Sequence, residues 1–448
     1  MSALNRRNFI AGSAAIASTQ ALGAVPASGE TDVAIIGAGA AGIAAARMVA
    51  AAGRRFALIE AGDAVGGRCV TDSRTFGVPY DRGAHWIHMP DINPVAKLSS
   101  RTGFEVYSAP PGQKLRIGKR NAREGEMEDY LATIVRANRA IQDASRKADI
   151  ACMQALPKDL GDWRPAVEFV LGPFGCGKNL DEISAVDFAR SAERDVDAFC
   201  RQGFGALLAK LAEGIPAQLA TPVKSMTSTR TGVEIETTRG RITARAAIVT
   251  VSTGVLAANK IKFTPELPKR QTEALVKLTL GSYDHVALEL KGNPLQLQKD
   301  DLVFEKAAGE RTAALLANVG GTPLCMVEIA GKFGRDLTKA GEAAMIDFAA
   351  GWLAELYGAD LKKAIGKTHA TRWANDPWAL GAFSCAAPGG QPGRKVLMEP
   401  VRERLFFAGE AVHETLWGTV GGAWESGERA AAAALKLWGS APTPVRRR

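Results

Sequence analysis

The chain has 448 residues, of which 46% are hydrophobic, 23% charged and 6% aromatic. That apolar share excludes a disordered or collagen-like polymer and leaves chain for about three domain-sized pieces. The formal charge of +9 is scattered, without the basic stripe and interleaved aromatics of a nucleic-acid surface, so no nucleic-acid partner is expected. Short runs such as Lys114 to Arg123 and Arg446 to Arg448 read as solvated.

The first residues look like a targeting segment. Asn5-Arg6-Arg7-Asn8-Phe9-Ile10 sets a twin arginine before an Ala-rich stretch, and Val25-Pro26-Ala27 is small enough for cleavage after Ala27. This resembles a twin-arginine export signal over residues 1–27, departing from the usual pattern at Asn5 and Ala11, and implies a periplasmic or exported protein. No later run approaches the ~18 apolar residues of a membrane span, so no stable membrane insertion is expected after the signal is removed. Cys69, Cys152, Cys176, Cys200, Cys325 and Cys385 are widely spaced with no CxxC pair. A zinc ribbon or dithiol motif is therefore not expected, no metal site is assigned, and buried free thiols are the default.

Val33 to Ile36 is a short apolar run that enters a glycine turn and an Ala-rich helix, Gly42 to Ala52; Phe56 to Ile59 follows. This strand–turn–helix–strand order opens a doubly wound α/β sheet. From about Asn93 to Lys210 the pattern turns helical, with Tyr130, Ile134 and Ile141 at near-helical spacing. Strands return at Val233 to Thr237 and Ile248 to Val251, with a turn at Thr238-Arg239-Gly240. Ala343 to Tyr357 reads as an amphipathic helix. Arg404 to Ala408 reads as a strand, and a helix from about Gly422 to Trp438 closes the chain.

Gly37-Ala38-Gly39-Ala40-Ala41-Gly42 is a complete G-x-G-x-x-G between strand and helix. Gly37 permits the tight turn, Gly39 lets backbone approach a pyrophosphate, and Gly42 allows close helix–strand packing. Glu60 ends the next strand, where a carboxylate can accept hydrogen bonds from a ribose diol. Gly66-Gly67-Arg68 follows, with a cation able to neutralise the same pyrophosphate. That second element favours FAD over a nicotinamide dinucleotide.

Together these blocks resemble the flavin-containing amine oxidases, the group of monoamine, polyamine and spermine oxidases and flavin-type histone demethylases. Asp81-Arg82-Gly83-Ala84-His85-Trp86-Ile87-His88 looks most like the polyamine oxidases. Ala247 to Leu256, Arg372-Trp373 with Asp376-Pro377-Trp378, Gly381 to Ser384, and Leu405-Phe406-Phe407-Ala408-Gly409-Glu410 through Thr419-Val420 extend the likeness. The resemblance implies a Rossmann-like FAD-binding domain (28–90, 205–262 and 396–440) interleaved with an α+β substrate domain (91–204 and 263–395), then a basic tail, 441–448. It implies that Gly37, Gly39, Gly42, Glu60, Gly67 and Arg68 hold the ADP half of FAD and that Val223 meets adenine. Gly409 and Glu410 would meet the pyrophosphate and ribityl chain, Trp373 would pack near the flavin, and Thr419 and Val420 would open a helix facing the flavin pyrimidine. Ala382 stands where monoamine oxidases carry their flavin-linking cysteine, so noncovalent FAD is expected.

The implied chemistry is hydride transfer from an amine carbon to flavin, giving an imine that hydrolyses to an aldehyde or ketone plus amine. A polyamine-like substrate is expected, with a heterocyclic, nicotine-type or secondary amine, or an amino acid, as the alternative. His88 matches a histidine near the substrate, whereas His85 reads as structural. His285 stands where the family usually has a lysine tied to oxygen reactivity. The acceptor is therefore O2, giving hydrogen peroxide, or a cytochrome or quinone. Phe383 matches one wall of the family's aromatic cage, while Thr419 replaces the other. Trp417 either compensates or packs, Trp378 reads as core, and Cys385 as a buried spectator. A homodimer is compatible with the sequence, as is a non-catalytic flavoprotein binding module.

Overall fold

The computed structural model describes residues 31–191 and 196–438; the export-type segment 1–27 and the tail 441–448 lie outside the described residues. Thr31–Ile36 sits inside an eight-stranded sheet, flanked in parallel by Phe56–Ile59 and Gly240–Val249. Ala217–Gln218 extends the parallel set at one end, and Leu405–Phe407 pairs in parallel with the last residues of Gly240–Val249. Such strands are covered on both faces, which is why Val33 to Ile36 is an unbroken apolar run. Beyond Gly240–Val249 the sheet becomes an antiparallel meander through Val233–Thr237 and Val223–Ser228. At its hairpin, Thr237 Oγ1 accepts the N–H of Arg239 at 3.0 Å.

The helix Ala40–Ala51 packs against the last helix, Val420–Leu435, over one face of this sheet. Their alanine and glycine surfaces allow very close approach: a Cβ on Gly427 would lie 2.1 Å from the Ala41 carbonyl oxygen. The first and last described α-helices thereby close on each other, and both glycine turns are held at one edge of the sheet.

A second, seven-stranded sheet runs Ile365–Ala370, Tyr283–Leu290, Leu324–Ala330, Ala314–Ala317, Asp301–Glu305, Lys114–Ile117 and Arg120–Asn121. Alternation along a strand sends Val286, Leu288, Val327 and Ile329 to one face, where Met345, Ala349, Trp352 and Leu353 of helix Glu342–Tyr357 cover them. Tyr283, His285 and Glu328 therefore share the opposite face, against the segment 81–86. A third sheet joins Ile87–His88, Asp197–Cys200 and Val106–Ser108.

Several expectations need correction. The stretch read as helical from Asn93 to Lys210 also contains the strands Val106–Ser108, Lys114–Ile117 and Asp197–Cys200, too short for periodicity to reveal. The basic run Lys114 to Arg123 is not wholly solvated. Arg116 is buried, donates to the Leu356 carbonyl at 2.6 Å and lies 4.5 Å from the Tyr357 ring centroid. Trp378, read as core, is 43% exposed. All six cysteines are buried free thiols. Among the described residues no helix is long and apolar enough to cross a membrane, and no cluster of metal-ligating side chains occurs.

Candidate functional site

The first glycine turn is built by contact as much as by conformation. Gly37 has φ +103°, a value that favours glycine, and a Cβ on Gly42 would overlap the Gly37 carbonyl at 1.8 Å. Gly39 differs. Its φ is −76°, and a Cβ there would meet only the Gly66 carbonyl oxygen, at 3.8 Å. Gly39 is also the N-cap of helix Ala40–Ala51, and no side chain caps that turn. An open backbone surface at an uncapped 12-residue helix start fits an anionic pyrophosphate.

Glu60 closes the far side. Its carboxylate accepts the Ala38 N–H at 2.7 Å and the Gly62 N–H at 2.8 Å. Each oxygen keeps a second lone pair able to accept from a ribose diol. The Glu60 carbonyl takes the Thr221 N–H at 2.8 Å, two residues before Val223 opens the strand Val223–Ser228. Gly37, Gly39, Gly42, Glu60 and Val223 thus lie around one sheet edge. Gly66 joins Gly39 as a parallel bridge, with its N–H donating to the Ala38 carbonyl at 2.8 Å, which brings Gly67 and Arg68 alongside. The residues present fit an ADP-containing dinucleotide.

Arg68 then links this edge to the second half of the site. It pairs with Glu410 at 3.1 Å and donates to the Ala382 carbonyl. Glu410 also accepts Ser384 Oγ at 2.7 Å, the Ser384 N–H, and the Gly418 N–H at 3.0 Å. Its carboxylate therefore ties together the residues flanking Phe383 and the turn before Thr419. Arg394, fully buried, extends this lock. It makes a two-pronged pair with Asp187, 2.7 Å in each arm, and donates to Ser384 Oγ at 3.2 Å and the Ala411 carbonyl at 3.0 Å. Gly409, at φ +126°, donates its N–H to Ser426 Oγ at 2.8 Å, anchoring the same strand end to the last helix.

Phe383 is half-buried and abuts Gly418, whose Cβ would stand 3.1 Å from its ring. Thr419 caps the last helix: its hydroxyl accepts from the Gly422 N–H at 2.9 Å and donates to the Leu416 carbonyl at 2.7 Å. Val420 is that helix's first residue. The Thr419 hydroxyl is engaged by this cap. Trp417 packs in the core beneath Arg394, 4.9 Å from ring centroid to guanidinium, so it does not replace a cage wall. Cys385 is buried beside Cys176 and Asp187, and burial pushes its thiol well up. Trp373 donates its indole N–H to the Arg82 carbonyl at 3.0 Å and lies against Gly83.

An aromatic neighbour of Phe383 that sequence reasoning missed is Tyr283, whose ring centroid is 5.8 Å from that of Phe383. Tyr283 donates its hydroxyl to Glu328 at 2.7 Å, and Trp86 donates to the other Glu328 oxygen at 3.4 Å. Glu328, also missed, is fully buried directly opposite His285 in the strand register. Burial pushes its carboxyl up, while these donors pull the other way. Strand alternation from His285 identifies Tyr283, but nothing local in the sequence pairs His285 with a residue 43 positions later. His285 donates Nδ1–H to the Asp81 carbonyl at 3.1 Å, and burial holds its pKa down to about 4. It is neutral near pH 7, with Nε2 4.0 Å from Glu328 Oε1.

His88 is partly exposed and pairs through Nδ1 with Asp197 at 2.6 Å. Its carbonyl takes Asn93 Nδ2 at 3.3 Å, and Asn93 lies against Gly421 in the first turn of the last helix. The structure therefore brings His88 to that helix start. His85 is structural, bonded to Asp81 at 2.8 Å and stacked on Phe199 at 4.6 Å.

Residues 40–435 match the family of flavin containing amine oxidoreductases. The chain is 26% identical to polyamine oxidase 4 of Oryza sativa subsp. japonica, over 89% of this chain and 87% of that protein. It is 27% identical to lysine-specific histone demethylase 1 homolog 3 of Arabidopsis thaliana over 90% of this chain, but spans only 30% of that protein. Among solved structures, putrescine oxidase bound to putrescine superposes with a TM-score of 0.77 at 19% identity, covering 91% of this chain and 99% of that one. Cyclohexylamine oxidase from Brevibacterium oxydans IH-35A gives 0.77 at 20% identity, covering 92% and 100%. These structural likenesses establish a common fold.

Proposed function

Since the chain belongs to the flavin-containing amine oxidoreductase family, we propose that it is a FAD-dependent oxidase or dehydrogenase of a polyamine-like amine. The observation that carries this is the continuity of the site. The dinucleotide cradle runs through Arg68 and Glu410 directly into the wall Phe383–Tyr283 and the acceptors His285 and Glu328. When bound, FAD supplies the two-electron oxidation of an amine C–N bond, and the imine leaves to hydrolyse to an aldehyde or ketone plus amine.

The chain's own residues supply position and environment. Gly37, Gly39, Gly42, Gly67 and Arg68 receive the pyrophosphate, Glu60 the ribose, and Val223 the adenine. Gly409 and Glu410 fix the segment beside the ribityl chain. The last helix, from Val420, directs its positive end at the flavin pyrimidine. Phe383, Tyr283 and Trp373 wall the pocket and exclude water, which strengthens every polar contact inside it. His88, oriented by Asp197, meets the substrate amine from the side of the last helix. Ala382 offers no thiol, which supports noncovalent FAD, released intact by acid precipitation.

The nucleotide half comprises 28–90, 205–262 and 396–440, and the substrate half 91–204 and 263–395. The Arg6-Arg7 segment supports export by the twin-arginine route. Neutral His285 favours a cytochrome or quinone acceptor over O2, because it lacks the cation of the family's usual lysine. A heterocyclic or secondary amine is the alternative substrate, favoured by Thr419 standing where the family's second aromatic wall would be. The test of this function is turnover with spermidine, comparing oxygen consumption with reduction of an artificial quinone. Faster quinone reduction is expected; failure of spermidine to drive either would exclude the polyamine assignment.

A further inference from the structure

Asp284 lies between Tyr283 and His285, but alternation along the strand turns its side chain the other way, toward the helix Gly331–Ala340. There its carboxyl is buried, and burial pushes its pKa up. It accepts three hydrogen bonds, all from neutral donors. Oδ1 takes the Thr371 hydroxyl and the Trp373 N–H, each at 2.9 Å, and Oδ2 takes the Thr338 hydroxyl at 3.0 Å. Burying a carboxyl among neutral groups is costly, so its presence calls for a reason. Two of the partners lead back to the pocket. The Thr371 hydroxyl also accepts the His285 backbone N–H at 2.9 Å, and the Thr371 N–H returns to the His285 carbonyl at 3.0 Å. Trp373 donates its indole N–H to the Arg82 carbonyl at 3.0 Å, with its ring against Gly83. The adjoining Asp81 carbonyl accepts His285 Nδ1–H at 3.1 Å, and the Asp81 carboxylate is itself fixed by the Phe204 N–H at 3.0 Å and by His85 at 2.8 Å. These bonds close on themselves. One arm runs from Asp284 through Thr371 to the His285 main chain, the other through Trp373 and residues 81–82 to the His285 ring.

We propose that Asp284 is a positioning residue of the flavin pocket, which through Thr371 and Trp373 sets where the His285 imidazole and the Trp373 indole stand. Without its carboxyl, the Trp373 N–H and the Thr371 hydroxyl lose their acceptor in a buried place, and the segment 371–373 shifts to find another. Thr338 plays a different part. It belongs to the outer helix, and its hydroxyl also bonds the Gly334 carbonyl at 2.9 Å, so its own arm leads away from the pocket. Asparagine at position 284 would keep Oδ1 for Thr371 and Trp373. Its amide N–H would meet Thr338 Oγ1, leaving the Thr338 proton for Gly334. Asparagine therefore preserves the arrangement and alanine destroys it. That the two rings serve a flavin rests on the function proposed above.

The test compares Asp284→Ala, Asp284→Asn and Thr338→Val as FAD-loaded proteins. The first readout is nitrogen NMR of protein labelled in its histidine rings, with His285→Gln assigning the His285 signals. The wild type is expected to show one fixed tautomer, protonated at Nδ1. Asp284→Ala is expected to average the two ring nitrogens, while Asp284→Asn and Thr338→Val keep the wild-type signals. The flavin absorption band follows the same division. In anaerobic reduction by the substrate amine, the limiting rate falls about ten- to a hundredfold in Asp284→Ala and stays within about threefold in the other two, as expected for misplacement of pocket groups. Thr338→Val lowers the melting temperature without moving either spectrum, which separates positioning from stability. If Asp284→Ala does not fold, Thr371→Val takes its place, because it cuts the arm to His285 and leaves the carboxyl. Wild-type His285 signals in Asp284→Ala, or in Thr371→Val where that variant stands in, overturn the proposal, as does failure of Asp284→Asn to preserve them. If no amine reduces the wild-type flavin, the proposed function fails, and the NMR signals still decide whether Asp284 orients His285.

Discussion

Gly39 and Gly42 both belong to the glycine turn, yet a methyl group should act on them in opposite ways. At Gly42 the new Cβ would sit 1.8 Å from the Gly37 carbonyl oxygen and 2.9 Å from its carbon, so helix Ala40–Ala51 must back away. Overpacking of that kind costs about 1–3 kcal/mol or more, and it falls on the contact with the last helix. At Gly39 the nearest atom is 3.8 Å away and φ is already −76°. Alanine there costs the fold only the modest penalty of a poorer N-cap, about 1 kcal/mol. Its methyl, however, stands where the pyrophosphate must approach. Losing one charge-assisted N–H contact is worth about 1.5–3 kcal/mol, or roughly ten- to a hundredfold in FAD affinity. Thermal melting of the apoprotein and FAD titration followed by flavin fluorescence separate the two. Gly42→Ala should lower the apoprotein melting temperature, and Gly39→Ala should weaken FAD binding with little change in melting. Unaltered FAD affinity in Gly39→Ala would refute the cradle.

Arg394→Met leaves the Asp187 carboxylate buried without its cation, so urea denaturation should register a loss of about 3–5 kcal/mol. Adding Asp187→Asn should recover much of it, and a loss below 1 kcal/mol in the single variant would remove Arg394 from the lock on Ser384. Asp197→Asn should slow anaerobic flavin reduction roughly tenfold by disturbing His88, with FAD content unchanged; loss of FAD would make the pair structural. His285 is neutral in the fold, with a pKa of about 4 against an ordinary 6.5. The unfolded chain therefore binds a proton that the fold refuses, and stability from this group is lost as pH falls from 6.5 towards 4, by up to about 3 kcal/mol. The gap in denaturation midpoint between wild type and His285→Gln should shift across that window; a gap independent of pH contradicts the buried neutral state.

The parallel sheet was legible because its strands are buried on both faces: Val33 to Ile36 and Phe56 to Ile59 are continuous apolar runs bracketing glycines that only a close turn explains. The last helix was legible from its alanines, although it begins at Val420, earlier than periodicity alone suggested. Strands of two to four residues left no periodic signal, and Arg116 gave no hint that a guanidinium would be buried against Tyr357. Within the site, Gly39 and Glu60 belong to one strand–turn–helix–strand unit that the sequence shows directly, whereas the partners of Arg68, Ala382 and Glu410, lie 314 and 342 positions away. Glu328 could not be read, because its meaning comes from a register between distant strands, whereas Tyr283 follows from His285 by strand alternation. Arg394 and Asp187 escaped for the same reason: their pairing spans 207 residues. Thr419 was located, but its hydroxyl is used as a helix cap.

The central claim, that this pocket oxidises an amine at a bound flavin, is tested most directly by anaerobic stopped-flow absorbance of the FAD-loaded protein. The amines would be spermidine, spermine, their acetylated forms, monoamines, basic amino acids and nicotine. Bleaching of the oxidised flavin band by a polyamine, with a rate that saturates in amine concentration, is the predicted result. A protein that holds FAD and is bleached by none of these amines, yet is readily reduced by dithionite, would contradict the claim.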